Sequence, residues 1–307
     1  MHMADALVSP AVGGVMYAAG ALSIGWAVKK INREQPGEKK LPLMAVSGAF
    51  VFAAQMVNFS IPGTGSSGHI GGGVLLAGLL GGAPALPTLA AVLIVQCLLF
   101  ADGGLLALGA NIFNMGVIPC MIVWPLVYRP ILRNGITTRR LWCASVLSAV
   151  LGLQLGAFAV VLETSVSGVA ELPFGTFVAL MQPIHLAIGL AEGIVTAGVL
   201  TYVWKTRPEL LETEKDRDGP LPLKRAVLAL AVLAVLAAGG LSLLASGDPD
   251  GLEWSIERAS AVETVESEQD GDAYNAVSGL AGAAVTCVLA GGIGLAITVV
   301  KRKKKTQ

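Results

Sequence analysis

Three histidines are spread over 307 residues: His2, His69 and His185. His2 stands one residue behind the amino-terminal methionine, and that spacing has a definite coordination chemistry. The Met1 amine and the His2 amide nitrogen close a five-membered chelate ring. The amide nitrogen and His2 Nδ1 close a six-membered one. If the amide gives up its proton, three nitrogens lie in one plane. Histidine is too large a second residue for methionine aminopeptidases to remove Met1, so the amine is expected to stay beside it. A fourth nitrogen must come from elsewhere, and His69 is the candidate, in a stretch made pliable by Gly63, Gly65 and Gly68. Four coplanar nitrogens suit Ni(II) or Cu(II), and Co(II) less exclusively. An all-nitrogen set is wrong for Mg(II) or Ca(II). The competing reading is a chance histidine in a disordered tail.

These residues need elements to carry them. Hydrophobic residues make up 54% of the chain and charged residues 14%, against about 25% charged in a soluble domain. The chain therefore reads as an all-α, polytopic transmembrane helix bundle with the lipid bilayer as its main solvent. The 38 glycines fit helices that pack closely in lipid. A spanning helix needs about 20 mostly apolar residues. Nine candidate segments meet or approach this, roughly 10–31, 41–59, 70–82, 87–101, 104–128, 141–163, 176–204, 223–246 and 274–300. The third and fourth are short and separated by "GGAPALP", so both could be tilted, broken or re-entrant. No cleavable signal is read at the start.

Lysine and arginine mark the cytoplasmic side. They crowd into "KKINREQPGEKK", "YRPILRNGITTRR", "KTRPELLETEKDRDGPLPLKR" and the final "KRKKK". If every segment crosses, all four fall on one face. The other face receives residues 1–9, "FSIPGTGSSGHI", "ADGG", "ETSVSGVAELPF" and 247–273, which hold no lysine and one arginine, Arg258. The amino terminus and His69 then share the outer face, and the carboxyl terminus is cytoplasmic. The chain divides into a seven-span unit over 1–205, a charged cytoplasmic linker over 206–222, and a two-span unit over 223–307 with an acidic external loop. No GxxxxGK[ST] motif occurs, so no nucleotide is bound by that route, and no nucleic-acid partner is expected.

Other residues have open readings. His185 and Glu192, seven apart on one helix face, lie inside a span, where ionisable groups are functional candidates by default. They support the metal site or form a buried polar pair that fixes packing. Asp102 attracts cations or makes a turn with Gly103 and Gly104. Ser67, beside His69, is a further candidate for a supporting role. Asn111 and Asn114 are expected to bond across helices. Met3, Met16 and Met115 read as packing, and Cys97, Cys120, Cys143 and Cys287 as small core residues. The 247–273 loop reads most simply as a solvated acidic surface.

Four blocks, "MHMADALVSP", "FSIPGTGSSGHIGG", "ADGGLLALGANIFNMG" and "MQPIHLAIGLAEGIVT", resemble the CbiM/NikM family over about 1–205. These are substrate-specific components (S components) of energy-coupling-factor (ECF) transporters for cobalt and nickel. The tail with "PDGLEWS" resembles the companion subunit CbiN/NikN, so the whole is similar to a NikMN-type fusion. The resemblance implies a seven-span ECF S-component-like unit plus two further spans. It implies metal ligands at Met1, His2 and His69, and partners in a transmembrane coupling (T) component and cytoplasmic ABC ATPases. The cell inner or plasma membrane is the implied location. Ni(II) is the expected substrate, because "MHMADALVSP" is closer to the nickel branch; Co(II) uptake for cobalamin synthesis is the alternative. A membrane metalloenzyme would need an open coordination position and a general base. A four-nitrogen plane and the absence of HExxH disfavour it. A metal-gated channel is a third, more remote class.

Overall fold

A computed structural model of the chain describes residues 1–34, 40–208, 211, 223–240, 243, 245–260 and 283–292. Most of the linker expected over 206–222, the acidic stretch beyond 260, the ends of the 274–300 segment and the final "KRKKK" lie outside the described residues.

After a single turn over Asp5–Leu7, the described chain runs through α1 (Pro10–Glu34), α2 (Lys40–Gln55), a hairpin of β1 (Phe59–Ile61) and β2 (Ser66–Gly68), α3 (Gly73–Leu80) and α4 (Gly82–Phe100). It continues with α5 (Leu108–Leu132), α6 (Thr138–Ser167), α7 (Phe174–Thr206), α8 (Leu223–Gly239), α9 (Gly251–Ser260) and α10 (Ala283–Gly292). Five of these, α1 and α4 to α7, are long and apolar enough to cross a membrane. The molecule is a helical membrane bundle, as the composition implies.

Helix crossings are made by small residues. A side chain at Gly189 or Gly193 of α7 would strike the α6 backbone at Val150 and Val146. The two long helices therefore touch nearly backbone to backbone, antiparallel, as small residues allow in lipid. α5 is wound in wide turns over Phe113–Tyr128, the stretch that holds Pro119 and Pro125. Proline has no N–H to give to the preceding turn, and a wider turn accommodates the gap. α4 is central, with nearly three quarters of its apolar window buried, whereas α1 buries about a sixth. Leu22, Leu155, Leu190 and Ile194 project outward from α1, α6 and α7, an apolar belt suited to lipid rather than water.

Several expected boundaries shift. The segment over 70–82 is helical only from Gly73 to Leu80, which at 1.5 Å per residue gives about 12 Å, too short to cross alone. It runs alongside α7: Gly68 lies at Ile188, Gly71 at Glu192 and Gly78 at Leu200. "GGAPALP" is not a connection but the first turns of α4, which begins at Gly82. Pro84 falls where the N–H has no helical partner, and that is why proline is tolerated there. The fifth span begins at Leu108 rather than 104, and the second ends at Gln55. The eighth ends at Gly239, seven residues early. "FSIPGTGSSGH", read as a plain loop in an all-α chain, folds as the antiparallel hairpin, with Ser60 opposite Ser67. α8 and α10 lie against α2, and α9 packs on α7 and β2.

Candidate metal site

The first eight residues do not trail. Met1, Met3, Leu7 and Val8 are buried, and the backbone of Met3 is clamped. Its N–H donates to Asn111 Oδ1 at 2.7 Å, and its carbonyl accepts from Asn111 Nδ2 at 3.1 Å and from the Gly104 N–H at 2.8 Å. Asp5 Oδ1 accepts from the Ala107 N–H at 3.1 Å. The Met1 side chain packs on the glycine face of α6 at Gly156. Asn111, read as bonding helix to helix, instead fixes the amino-terminal segment. Asn114 Nδ2 does bond across helices, to Glu163 at 2.8 Å.

This clamp brings the three sequence-derived ligand residues together. The Met1 amine lies 3.2 Å from His69 Nε2. The His2 ring stacks on the His69 ring with centroids 5.0 Å apart and planes 17° from parallel. His69 Nδ1 faces the carbonyl of Ile70 at 3.1 Å, which assigns the proton to Nδ1 and leaves the Nε2 lone pair toward the amine. Burial, then the neighbouring ammonium and His2, push the His69 imidazole down to about 3. It is therefore neutral, the form that binds metal. One detail differs from the chelate geometry drawn from sequence. His2 Nδ1 lies 3.1 Å from Asp102 Oδ1, and Nε2 is buried without a partner. Chelation through Nδ1 requires that nitrogen to turn from Asp102.

The supporting candidates separate. Glu192 and His185 do not pair with each other. The Glu192 carboxylate accepts from two successive backbone N–H groups, Gly71 at 2.8 Å and Gly72 at 2.9 Å, and so holds the chain that follows His69. Gly72 has φ +74°, and a side chain there would strike Val51; glycine is required for this turn. His185 Nδ1 lies 2.8 Å from the Met181 carbonyl, while its Nε2 is buried and unpartnered. Asp102 is neither a free cation trap nor a plain turn residue, since it meets His2. Ser67 bonds to main chain from the far part of the sequence: its N–H donates to the Pro249 carbonyl at 2.8 Å and its hydroxyl to the Asp248 carbonyl at 2.7 Å.

Those last contacts reveal a residue that sequence reasoning missed. Asp250 Oδ2 accepts from the Met1 ammonium at 2.7 Å. Burial opposes its charge, but the ammonium outweighs this and holds the Asp250 carboxyl well below the usual carboxylate range. The described part of the acidic loop is thus not simply solvated. Its first residues form a strap on the His69 hairpin. A signal was present in the sequence: Asp250-x-x-Glu253 is a capping-box pattern. Its partner, 249 positions away, was not readable. Among the described residues no group of three or more His, Cys, Asp or Glu side chains gathers as a metal cage. Any metal here would need main-chain nitrogens as well as the two imidazoles.

Comparison with known proteins bears on what such a site serves. Residues 2–210 match the CbiM family, described as the cobalt uptake substrate-specific transmembrane region, and residues 224–276 match the PDGLE domain. A metal transport protein of Haloquadratum walsbyi is 36% identical over 72% of this chain and 98% of its own length. The fused nickel transport protein NikMN of Rhodobacter capsulatus is 32% identical over 84% of this chain and 76% of its own. A crystal structure of a truncated transition metal transporter superposes with TM-score 0.59 at 30% identity, covering 67% of this chain and 99% of that one.

Proposed function

Because the chain belongs to the CbiM family of nickel and cobalt transport components, we propose that it captures Ni(II) for an ATP-driven ECF-type importer. Met1, His2 and His69 are the ligands. The amine, the His2 amide and His2 Nδ1 fill three corners of a plane. The fourth corner adjoins both the amine and the His2 ring, and the observation that carries the reading is that His69 touches both. Co(II) is the alternative substrate, and the family's own description favours it; four planar nitrogens favour nickel.

On this reading residues 1–205 form the metal-binding unit, 206–222 a cytoplasmic linker, and 223–307 a companion unit. The chain sits in the cell membrane with Met1 outside and the Lys-rich end in the cytoplasm. A transmembrane coupling component and cytoplasmic ABC ATPases supply the energy. The relatives are metal transport proteins rather than enzymes, and the chain has no catalytic role.

The test is nickel titration and X-ray absorption of the purified full chain. The expected result is a four-coordinate shell of nitrogen at short distance, without sulfur. His69→Ala should weaken binding by more than about 100-fold, beyond the range seen for residues that only support a ligand. An octahedral oxygen-rich shell, or unchanged binding by His69→Ala, would overturn the proposal.

A further inference from the structure

We infer that Asp250 is a positioning residue for the Met1 amine, so that a strap from the carboxyl-terminal unit completes the metal site built by the amino-terminal one. The inference rests on the ligand set proposed above.

The observation is the division of labour within one carboxylate. Asp250 is the N-cap of α9. Its Oδ1 accepts from the N–H groups of Leu252 at 2.8 Å and Glu253 at 2.9 Å. The Asp250 N–H in turn donates to Glu253 Oε2 at 3.2 Å. This reciprocal box fixes the side chain. Oδ2 is left over, and it is aimed at the Met1 amine. The helix itself is seated by glycine. A Cβ at Gly251 would lie 2.9 Å from Ile184, 3.0 Å from Ile188 and 3.4 Å from His185, so only glycine lets this N-terminus approach α7 so closely. Leu252 is buried behind it. Further bonds tie the strap to the His69 hairpin: the Ser246 N–H to the Asn58 carbonyl at 2.8 Å, the Ser67 N–H to Pro249, and Trp254 Nε1 to the Thr64 carbonyl at 3.0 Å. Asp250, Gly251, Leu252 and Glu253 each have a separate task, and together the tasks bring one carboxylate oxygen to one amine.

A carboxylate there has a chemical use that does not require it to touch metal. An amine that gives its lone pair to a metal keeps its N–H bonds. A fixed acceptor on one of them sets where the lone pair points. Carboxylates do this for metal-bound imidazoles, and losing them typically weakens metal affinity 10–100-fold. The same negative charge offsets part of the charge of an arriving dication. The competing explanation is that Asp250 only caps a helix.

Substitution separates the two. Asn and Ser cap a helix about as well as Asp, but neither presents a carboxylate to the amine. Glu253→Ala opens the box yet leaves Asp250 on the amine. On the purified full chain, Asp250→Asn and Asp250→Ser should both bind Ni(II) about 30-fold more weakly in a competition titration. At saturating nickel their visible absorption should match the parent, because the four nitrogens are unchanged. Their metal-free thermal midpoints should fall by a similar amount, because both keep the cap and both remove the partner of the buried ammonium. Glu253→Ala should lower the midpoint and leave affinity within about twofold, since its loss is a cap effect. The inference is overturned if Asp250→Asn binds like the parent while His69→Ala does not, or if Glu253→Ala loses as much affinity as Asp250→Asn. Parent-like binding by His69→Ala as well would overturn the underlying ligand set instead.

Discussion

Two carboxylates stand against the first two residues, and they come from distant parts of the chain. Asp102, in the turn between α4 and α5, meets the His2 ring at 3.1 Å; Asp250, in the strap before α9, meets the Met1 amine at 2.7 Å. The chemistry is the same, a carboxylate on a nitrogen. The mounting is not. The Asp102 side chain is 40% exposed and the Asp250 side chain 17%. Asp102 sits between Ala101 and Gly103, both with positive φ, and is held through its backbone, its N–H donating to the Gln96 carbonyl at 3.1 Å at the end of α4. Asp250 has one oxygen locked into a helix terminus. Water reaches the Asp102 side of its pair with the buried His2 and screens part of the attraction, whereas a carboxylate fixed by its own hydrogen bonds can direct its partner. On the proposed ligand set the difference makes Asp250 the group that would orient a ligand, while Asp102 would more nearly accompany one.

The sharpest way to break this pairing is to move the residues it acts on. Inserting glutamine between Met1 and His2 keeps every side chain but shifts the amine by one residue. Asp250 and Asp102 then no longer face neighbouring nitrogens. The added amide lets the tail fill four planar positions by itself, so the variant still binds Ni(II). On the proposed function it should nonetheless lose most uptake in cells that carry the proposed ATPase partners, because metal would no longer tie the amino terminus to His69. Parent-level uptake would show that the position of the amine is irrelevant.

Asp102→Asn gives a smaller effect and tests the comparison directly. It should weaken nickel binding by about fivefold, below the common range for supporting carboxylates, because solvent already screens the group. A larger loss than that of Asp250→Asn would reverse the ranking argued here.

Much of this was legible in the sequence, for identifiable reasons. Apolar length marked α1 and α4 to α7 because a bilayer demands it. The candidate Met1-His2 chelate could be drawn from sequence because its geometry is local, three nitrogens in two residues; that it holds metal belongs to the proposal. His69 was expected near the amino terminus because the charge pattern assigns their segments to one face, and the two do lie together. What failed was long-range or small-scale. The 70–82 segment counted as a candidate span because hydropathy cannot tell a lipid-facing helix from one buried in protein, and α3 is short and buried throughout. "GGAPALP" looked like a break because proline at a helix start and proline in a loop read alike. His185 and Glu192 share a helix face, yet Glu192 is used by the backbone of Gly71 and Gly72, partners that no side-chain pattern reveals. Asp250 was hidden among many acidic residues whose setting depends on tertiary contact.

A smaller effect on metal than that of either aspartate is expected of Glu192, and it separates support of the site from support of the fold. Its two oxygens accept two adjacent N–H groups at the start of α3, and Gln55 Nε2 donates to the carbonyl of Gly71 at 2.8 Å. This turn is thus held from α2 and α7 at once, two residues beyond His69. Glutamine is nearly the same shape but offers only one acceptor oxygen. Its NH₂ group would face a backbone N–H, donor against donor, in a site only 3% exposed. Hydrogen bonds to a charged acceptor are worth about 1.5–3 kcal/mol each. Glu192→Gln should therefore cost about 2 kcal/mol of stability, read as a lower thermal midpoint of the metal-free protein in detergent. Nickel affinity should fall by less than about threefold, since the hairpin and the strap still hold His69 from its other side, and effects on separately supported groups are close to additive. A midpoint that stays put while affinity collapses would move Glu192 into the site itself. It would then outrank both aspartates as the group that directs a ligand.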